Sequence, residues 1–201
     1  MNFLAHLLLA GDDDGLRLGA MLGDFVRGWR ALAFYPRDVR LGIKLHRHTD
    51  QFFDSLPAVV KLRENFPTPF RRYSGIVIDL AFDHQLARRW ENYSSQSLEQ
   101  FDRDIYELLA KNDRMLPRRL RQFIRYASQR GLFAAYREKS EIMHSLRGLG
   151  SRLSRPNPLH RVEEIWAELE PRFSASFEAV FLEVQSDVSS WLKSRSTTTG
   201  S

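Results

Sequence analysis

Histidines and aspartates recur at helical spacing in four separate stretches of this sequence, and nitrogen and oxygen donors in that pattern are the groups of divalent-cation and proton-transfer chemistry. In the stretch from Ile76 to Trp90, Asp79 and Asp83 stand four residues apart on one helical face, with His84 a step around, among Ile76, Leu80 and Leu86. Carboxylates on an apolar helix must lie at a cleft, pair with arginine or hold a cation, because burying a lone charge costs several kcal/mol. The stretch from Gly42 to Asp50 places His46 and Asp50 at i,i+4, a spacing that suits two ligands of one cation or a histidine oriented by a carboxylate. Arg47 follows as a planar fork of donors suited to a phosphate oxygen, and His48 falls on another face, expected to be exposed.

Asp24 sits beside Gly19 and Gly23. It is either an i,i+3 partner of Arg27 or a ligand or base at a point where the glycines admit a second backbone or a substrate. His6, among Leu4, Leu7 and Leu8, alone reads as an ordinary core residue; its company makes it a candidate. The set His6, Asp24, His46, Asp50, Asp79, Asp83 and His84 contains no sulfur and suits Mn²⁺, Mg²⁺ or iron better than a structural zinc. A cation among them would lower the pKa of a bound water and polarise a phosphoryl oxygen, the logic of metal-assisted phosphoester hydrolysis.

The elements that must position these groups read as helices throughout. Long stretches of 3.6-residue apolar spacing, broken by short punctuators and without sustained alternation, predict an all-α fold. The expected helices span about residues 2–10, 16–33, 37–55, 57–66, 70–92, 97–111, 115–130, 131–148 and 159–194, the last open to being two helices that meet near Pro171. Trp166, Phe173, Phe177, Phe181, Val184 and Trp191 form an apolar stripe assigned to core packing. With 201 residues, 43% hydrophobic and 12% aromatic, the chain supports one folded domain over 1–193; the polar tail 194–201 reads as a frayed end or expression remnant. The absence of cysteine excludes disulfides and thiolate metal sites. The apolar N-terminus lacks a basic region, and no run approaches the roughly 18 apolar residues of a membrane span, so a cytoplasmic protein with no membrane partner is expected.

A net charge of +5 favours an acidic partner. Arg118, Arg121 and Arg125 fall at i, i+3 and i+7 opposite Leu120, Phe123 and Ile124, as either a solvated face or a docking face. The stretch 146–155 couples Gly148 and Gly150 to Ser151, Arg152, Ser154 and Arg155. It lacks the ending and the preceding strand of a P-loop, and is either a helix-terminating loop or a phosphate clamp. His144 and His160 read as structural.

Asn2-Phe3-Leu4-Ala5-His6-Leu7, Gly23-Asp24-Phe25-Val26-Arg27-Gly28, His46-Arg47 followed by Asp50, Asp79 with Asp83-His84, and Ser151-Arg152, in this order over about residues 1–192, resemble the acyl carrier protein phosphodiesterase family. The resemblance implies an all-helical fold distantly related to the HD phosphohydrolases and a divalent cation, manganese or magnesium. It also implies hydrolysis of the phosphodiester joining 4′-phosphopantetheine to a serine of holo acyl carrier protein. Asp83-His84 reverses the HD order, so a ligand set cannot be copied from those enzymes. Asp24, His46, Asp79 and Asp83 are the expected ligands, with His6, Asp50 and His84 as further ligands or orienting groups. Arg47 and Arg27 are expected to stabilise phosphoryl charge, and His84 or His46 to protonate the leaving serine. The Arg118/Arg121/Arg125 face is expected to dock the carrier protein, and Arg152 and Arg155 to hold the prosthetic-group phosphate. Two rival readings stand beside this one. The first is an HD-type hydrolase of nucleotides, although no aromatic-interleaved basic stripe for nucleic acid is present; the second is a non-enzymatic basic module for an acidic protein.

Overall fold

Local chemistry starts or stops several of the helices. In the computed structural model, which describes residues 1–196, these are α1 (Phe3–Leu9), α2 (Asp14–Leu22), α3 (Gly28–Leu32), α4 (Arg37–Ser55), α5 (Pro57–Glu64), α6 (Ser74–Arg88), α7 (Leu98–Lys111), α8 (Arg118–Arg130), α9 (Leu132–Ala135), α10 (Lys139–Arg152) and α11 (Glu163–Ser196). The Asp13 carboxylate accepts from the Leu16 N–H to cap α2, and Ser97 does the same for α7 from Gln100. Pro57 opens α5, where its missing N–H is harmless, and Gly131, with φ +56°, closes α8 in the left-handed conformation. The described residues contain no strand, in keeping with the all-α expectation.

Three expected helices are divided. The stretch 16–33 breaks after Leu22 and resumes at Gly28, whose φ of +77° favours glycine, and the intervening turn lifts Asp24 into solvent. The stretch 70–92 is a 3₁₀ turn (Phe70–Tyr73), α6 and a second turn (Trp90–Asn92), and 131–148 divides into α9 and α10. By contrast α11 runs unbroken through Pro171, 34 residues and about 50 Å at 1.5 Å per residue. Proline within a helix costs about 3 kcal/mol. Trp166, Leu169, Phe173, Phe177, Phe181 and Val184, all buried, offset that cost at roughly 1.5–3 kcal/mol for each large side chain removed from water. Residues 194–196, expected to begin the tail, continue α11; residues 197–201 lie outside the described residues.

Helix α6 is the central element. Val77, Ile78, Leu80, Ala81, Phe82, Leu86 and Ala87 are buried, and α1, α5, α10 and α11 pack around it. Helix α2 lies along α4 at backbone contact. A Cβ on Gly19 would fall 2.4 Å from the Val39 carbonyl oxygen and 2.5 Å from the Gly42 Cα, so only glycine permits this approach. No helix among the described residues is long and apolar enough to cross a membrane.

Candidate metal centre and adjoining groove

The close approach of α2 and α4 sets the position of His46. A Cβ on Gly23 would fall 2.2 Å from His46 Cγ, so the imidazole occupies the space that the glycine leaves. His46 Nδ1–H donates to the Ala20 carbonyl at 2.8 Å. That bond leaves Nε2 facing Asp50 Oδ2 at 3.1 Å and Asp24 Oδ1 at 3.4 Å, and this buried nitrogen has no hydrogen bond of good geometry. A neutral imidazole lone pair aimed at two carboxylates is repulsive; a proton or a metal cation at that point makes it attractive. Burial alone would push the His46 pKa down, but the carboxylates of Asp24 and Asp50 facing the ring outweigh it and push it up to about 9.

His6 arrives from α1 and stacks on His46 with ring centroids 3.9 Å apart and planes 18° apart. Its Nε2 lies 2.9 Å from Asp50 Oδ1 and 3.0 Å from the Met1 carbonyl oxygen, and its buried Nδ1 has no hydrogen-bond partner. Burial first, then the charge of His46, push its pKa down to about 4. Ligand atoms of His6, His46 and Asp50 lie within 4.8 Å of one another, and the Asp50 carboxyl is held well below the usual carboxylate range because its bonds to both histidines outweigh desolvation. Asp24 is likewise pushed down, first by its contact with His46, and its side chain is 61% exposed. Two stacked imidazoles and two carboxylates around one point, with two buried ring nitrogens unpartnered, fit a hard to borderline divalent cation.

The other expected ligands stand apart from this point. Asp79 Oδ1 lies 3.2 Å from the Met1 amino group, which is itself 3.1 Å from Asp50 Oδ1, so Asp79 borders the centre through Met1. Asp83 is fully buried and accepts from the backbone N–H groups of Leu4, at 2.9 Å, and Ala5, at 3.1 Å. It therefore caps the first turn of α1. Burial pushes its pKa up to about 7, with those two bonds acting in the opposite direction. His84 donates from Nδ1 to the Tyr136 carbonyl at 2.7 Å, and its Nε2 is 3.9 Å from Glu170, so neither nitrogen joins the centre. Arg47 gives part of its fork to the Val26 carbonyl and so anchors the turn that carries Asp24. His48 is half-buried rather than exposed, bonded to Asp187 at 2.6 Å and stacked on Trp191.

Asp24 also opens onto a groove of about 660 Å³ between α1, the 24–25 turn, α8 and α10, within the size range of small-molecule sites, about 300–1,000 Å³. Phe3, Phe25, Phe123 and Tyr126 form its apolar walls, with Arg119 and Arg152 as its cations. Arg155 is exposed in the loop beyond Arg152, and Arg27 is exposed at the start of α3. Arg118, Arg121 and Arg125 share the outer side of α8 around a depression of about 300 Å³, where Arg121 lies 3.3 Å from Asp113. Sequence reasoning chose that outer face and missed Arg119. Its signal was present, since Arg119, Gln122, Phe123 and Tyr126 fall at i, i+3, i+4 and i+7, a second face of the same helix.

Helices throughout and a buried pair of histidines closed by aspartates define an all-α protein with a candidate metal centre at the edge of a basic, aromatic groove. Residues 1–184 match the family model described as acyl carrier protein phosphodiesterase. Curated relatives with that name include one from Enterobacter sp. (strain 638), 36% identical over 87% of this chain and 89% of the relative. Another, from Yersinia enterocolitica, is 32% identical over 92% of this chain and 98% of the relative. The chain belongs to the acyl carrier protein phosphodiesterase family, a family of enzymes. No solved structure matches it.

Proposed function

We propose that this protein hydrolyses the phosphodiester between 4′-phosphopantetheine and a serine of holo acyl carrier protein, releasing the apo carrier protein, in a reaction that depends on a divalent cation. The observation that carries the reading is the Nε2 of His46, fixed in orientation from behind and aimed at Asp24 and Asp50 beside the groove. His6, His46 and Asp50 would hold the cation, Mn²⁺ or Mg²⁺, with Asp24 at its open side. The cation would supply Lewis acidity toward a phosphoryl oxygen and make water a stronger nucleophile at neutral pH.

The rest of the chemistry falls to the chain. The Ala20 carbonyl holds the His46 ring in one tautomer, and the stacked His6 ring excludes water from one face of it. Asp24, ionised and exposed on the groove side, is placed to accept the proton of the attacking water. Arg119 and Arg152 are the groove's cations for phosphoryl oxygens, where guanidinium forks match the charge that builds in the transition state. His84, with Nδ1 committed to Tyr136, is set aside as proton carrier in this reading, and the proton that Asp24 takes from the attacking water is the one it would return to the departing serine oxygen. The exposed Arg118/Arg121/Arg125 face suits docking of an acidic carrier protein by charge complementarity.

Incubation of the purified protein with holo acyl carrier protein and Mn²⁺, with the carrier's mass followed with and without EDTA, tests the proposal. A mass loss equal to phosphopantetheine that EDTA blocks is the expected result. An unchanged carrier mass in the presence of folded protein and Mn²⁺ would overturn it.

A further inference from the structure

Glycine inside a helix is a penalty relative to alanine and is retained where something must come close. Most of the helical glycines here have a packing reason. Gly19 and Gly42 meet across α2 and α4, Gly23 admits the His46 ring, and a Cβ on Gly150 would fall 2.7 Å from Asn157 Oδ1. Gly148, near the end of α10, has none: its φ is not in the left-handed region, and a Cβ there would meet nothing within 4 Å. It faces a narrow recess of about 60 Å³ walled by Leu80, Leu132, Tyr136 and Ser145. That recess continues the groove, because Phe3, Phe123, Tyr126 and Arg152 line both.

Chemical character changes along this path. Asp24 beside the candidate metal centre, the cations Arg119 and Arg152, and the packed Phe3–Phe123 pair, with ring centroids 5.3 Å apart, all border it. The recess closes around small, mostly apolar surfaces at Gly148. A phosphopantetheine arm carries groups that suit these surfaces: an anionic phosphate for the cations, a branched methyl-bearing segment with amides for the aromatic side, and a slim unbranched end carrying the thiol for the recess. We infer that groove and recess are one channel for the prosthetic arm, and that Gly148 is the specificity-determining residue that keeps its far end open. This inference rests on the proposed substrate.

Gly148→Leu tests it, since a Cβ at this position meets nothing within 4 Å, the recess lies beside it, and leucine favours the helix. With holo acyl carrier protein as substrate, KM is expected to rise at least tenfold with kcat retained, and Gly148→Ala is expected to raise KM by less than the leucine variant does. Free 4′-phosphopantetheine, titrated calorimetrically into the Mn²⁺-loaded parent, is expected to bind, with at least tenfold weaker binding to the leucine variant. Equal KM and equal binding in parent and leucine variant would overturn the channel, as would a parent that does not bind free phosphopantetheine. Equal loss of kcat and Mn²⁺ affinity in the leucine variant would also overturn it, by placing the effect at the centre. A parent that binds free phosphopantetheine but leaves holo carrier protein intact would sink the proposed reaction and leave the channel standing on the binding data.

Discussion

Replacing Asp83 by alanine separates a structural carboxylate from a metal ligand. Its oxygens accept from the N–H groups of Leu4 and Ala5 at 2.9 and 3.1 Å, in a fully buried setting. Alanine leaves both donors buried and unpaired, at about 1–3 kcal/mol each, so the loss is about 2–6 kcal/mol. At roughly 2–4 °C per kcal/mol for a domain of this size, the melting temperature should fall by about 4–24 °C. Thermal denaturation followed by circular dichroism in EDTA reads this without any metal contribution. Mn²⁺ affinity, measured well below the transition, should stay within about tenfold of the parent, because His6, His46 and Asp50 are unchanged. Asp83→Asn, which keeps one acceptor, should lose about half as much stability. It should also lose a pH dependence. Burial raises the folded-state pKa from 3.8 to about 7, so the stability tied to that proton is complete below about pH 4 and lost as pH rises through 7. A fall of less than about 2 °C together with a hundredfold loss of Mn²⁺ affinity would refute the capping role and return Asp83 to the ligand set.

Three further outcomes follow from the geometry. Gly23→Ala forces a methyl into the His46 ring, costs at least the roughly 1–3 kcal/mol of an overpacked core and should abolish Mn²⁺ binding by titration calorimetry; unchanged affinity would dissociate the glycine from the centre. Mn²⁺ at a hundred times its Kd should stabilise the parent by about 2.7 kcal/mol, seen as a rise in melting temperature, and Asp50→Asn should remove that rise. Charge reversal of Arg118 and Arg121 should raise KM for the carrier protein at low salt, and the difference should shrink as salt is added; a KM equal to the parent's at low salt would remove the docking face.

The sequence shows clearly those features that depend on residues near one another in the chain. The all-α fold, the stripe from Trp166 to Val184, the pairing of His46 with Asp50 and the shared face of Arg118, Arg121 and Arg125 are all helical spacings, and the structure has each of them. The features it concealed depend on distant partners. Asp83 caps a helix some eighty residues earlier, and His48 meets Asp187. A carboxylate on a buried helix looks the same from sequence whether it caps backbone or holds a metal. The break that frees Asp24 was hidden because Leu22, Phe25 and Val26 continue the apolar rhythm of α2 across the turn. His6, ordinary when taken alone, entered the centre through a ring stack that no local pattern encodes.

The glycine contact between α2 and α4 also decides where the centre can yield. Where Gly19 meets Gly42 the two backbones touch with no side chain between them, which leaves no rotamer there to rearrange; α4 carries His46 and Asp50, and the Arg47–Val26 bond ties the turn bearing Asp24 to it. His6 is carried by α1, a seven-residue helix that packs on α2 and α6 and is capped from α6 by Asp83. The short α1 is therefore the element expected to yield first. Exchange of a small cation for a larger one, with ligand distances that lengthen by a few tenths of an ångström, should be absorbed by a shift of α1. The cation's radius would then be felt first at Asn2 and Phe3, which also line the groove, so the choice of metal would be expected to alter the groove's width.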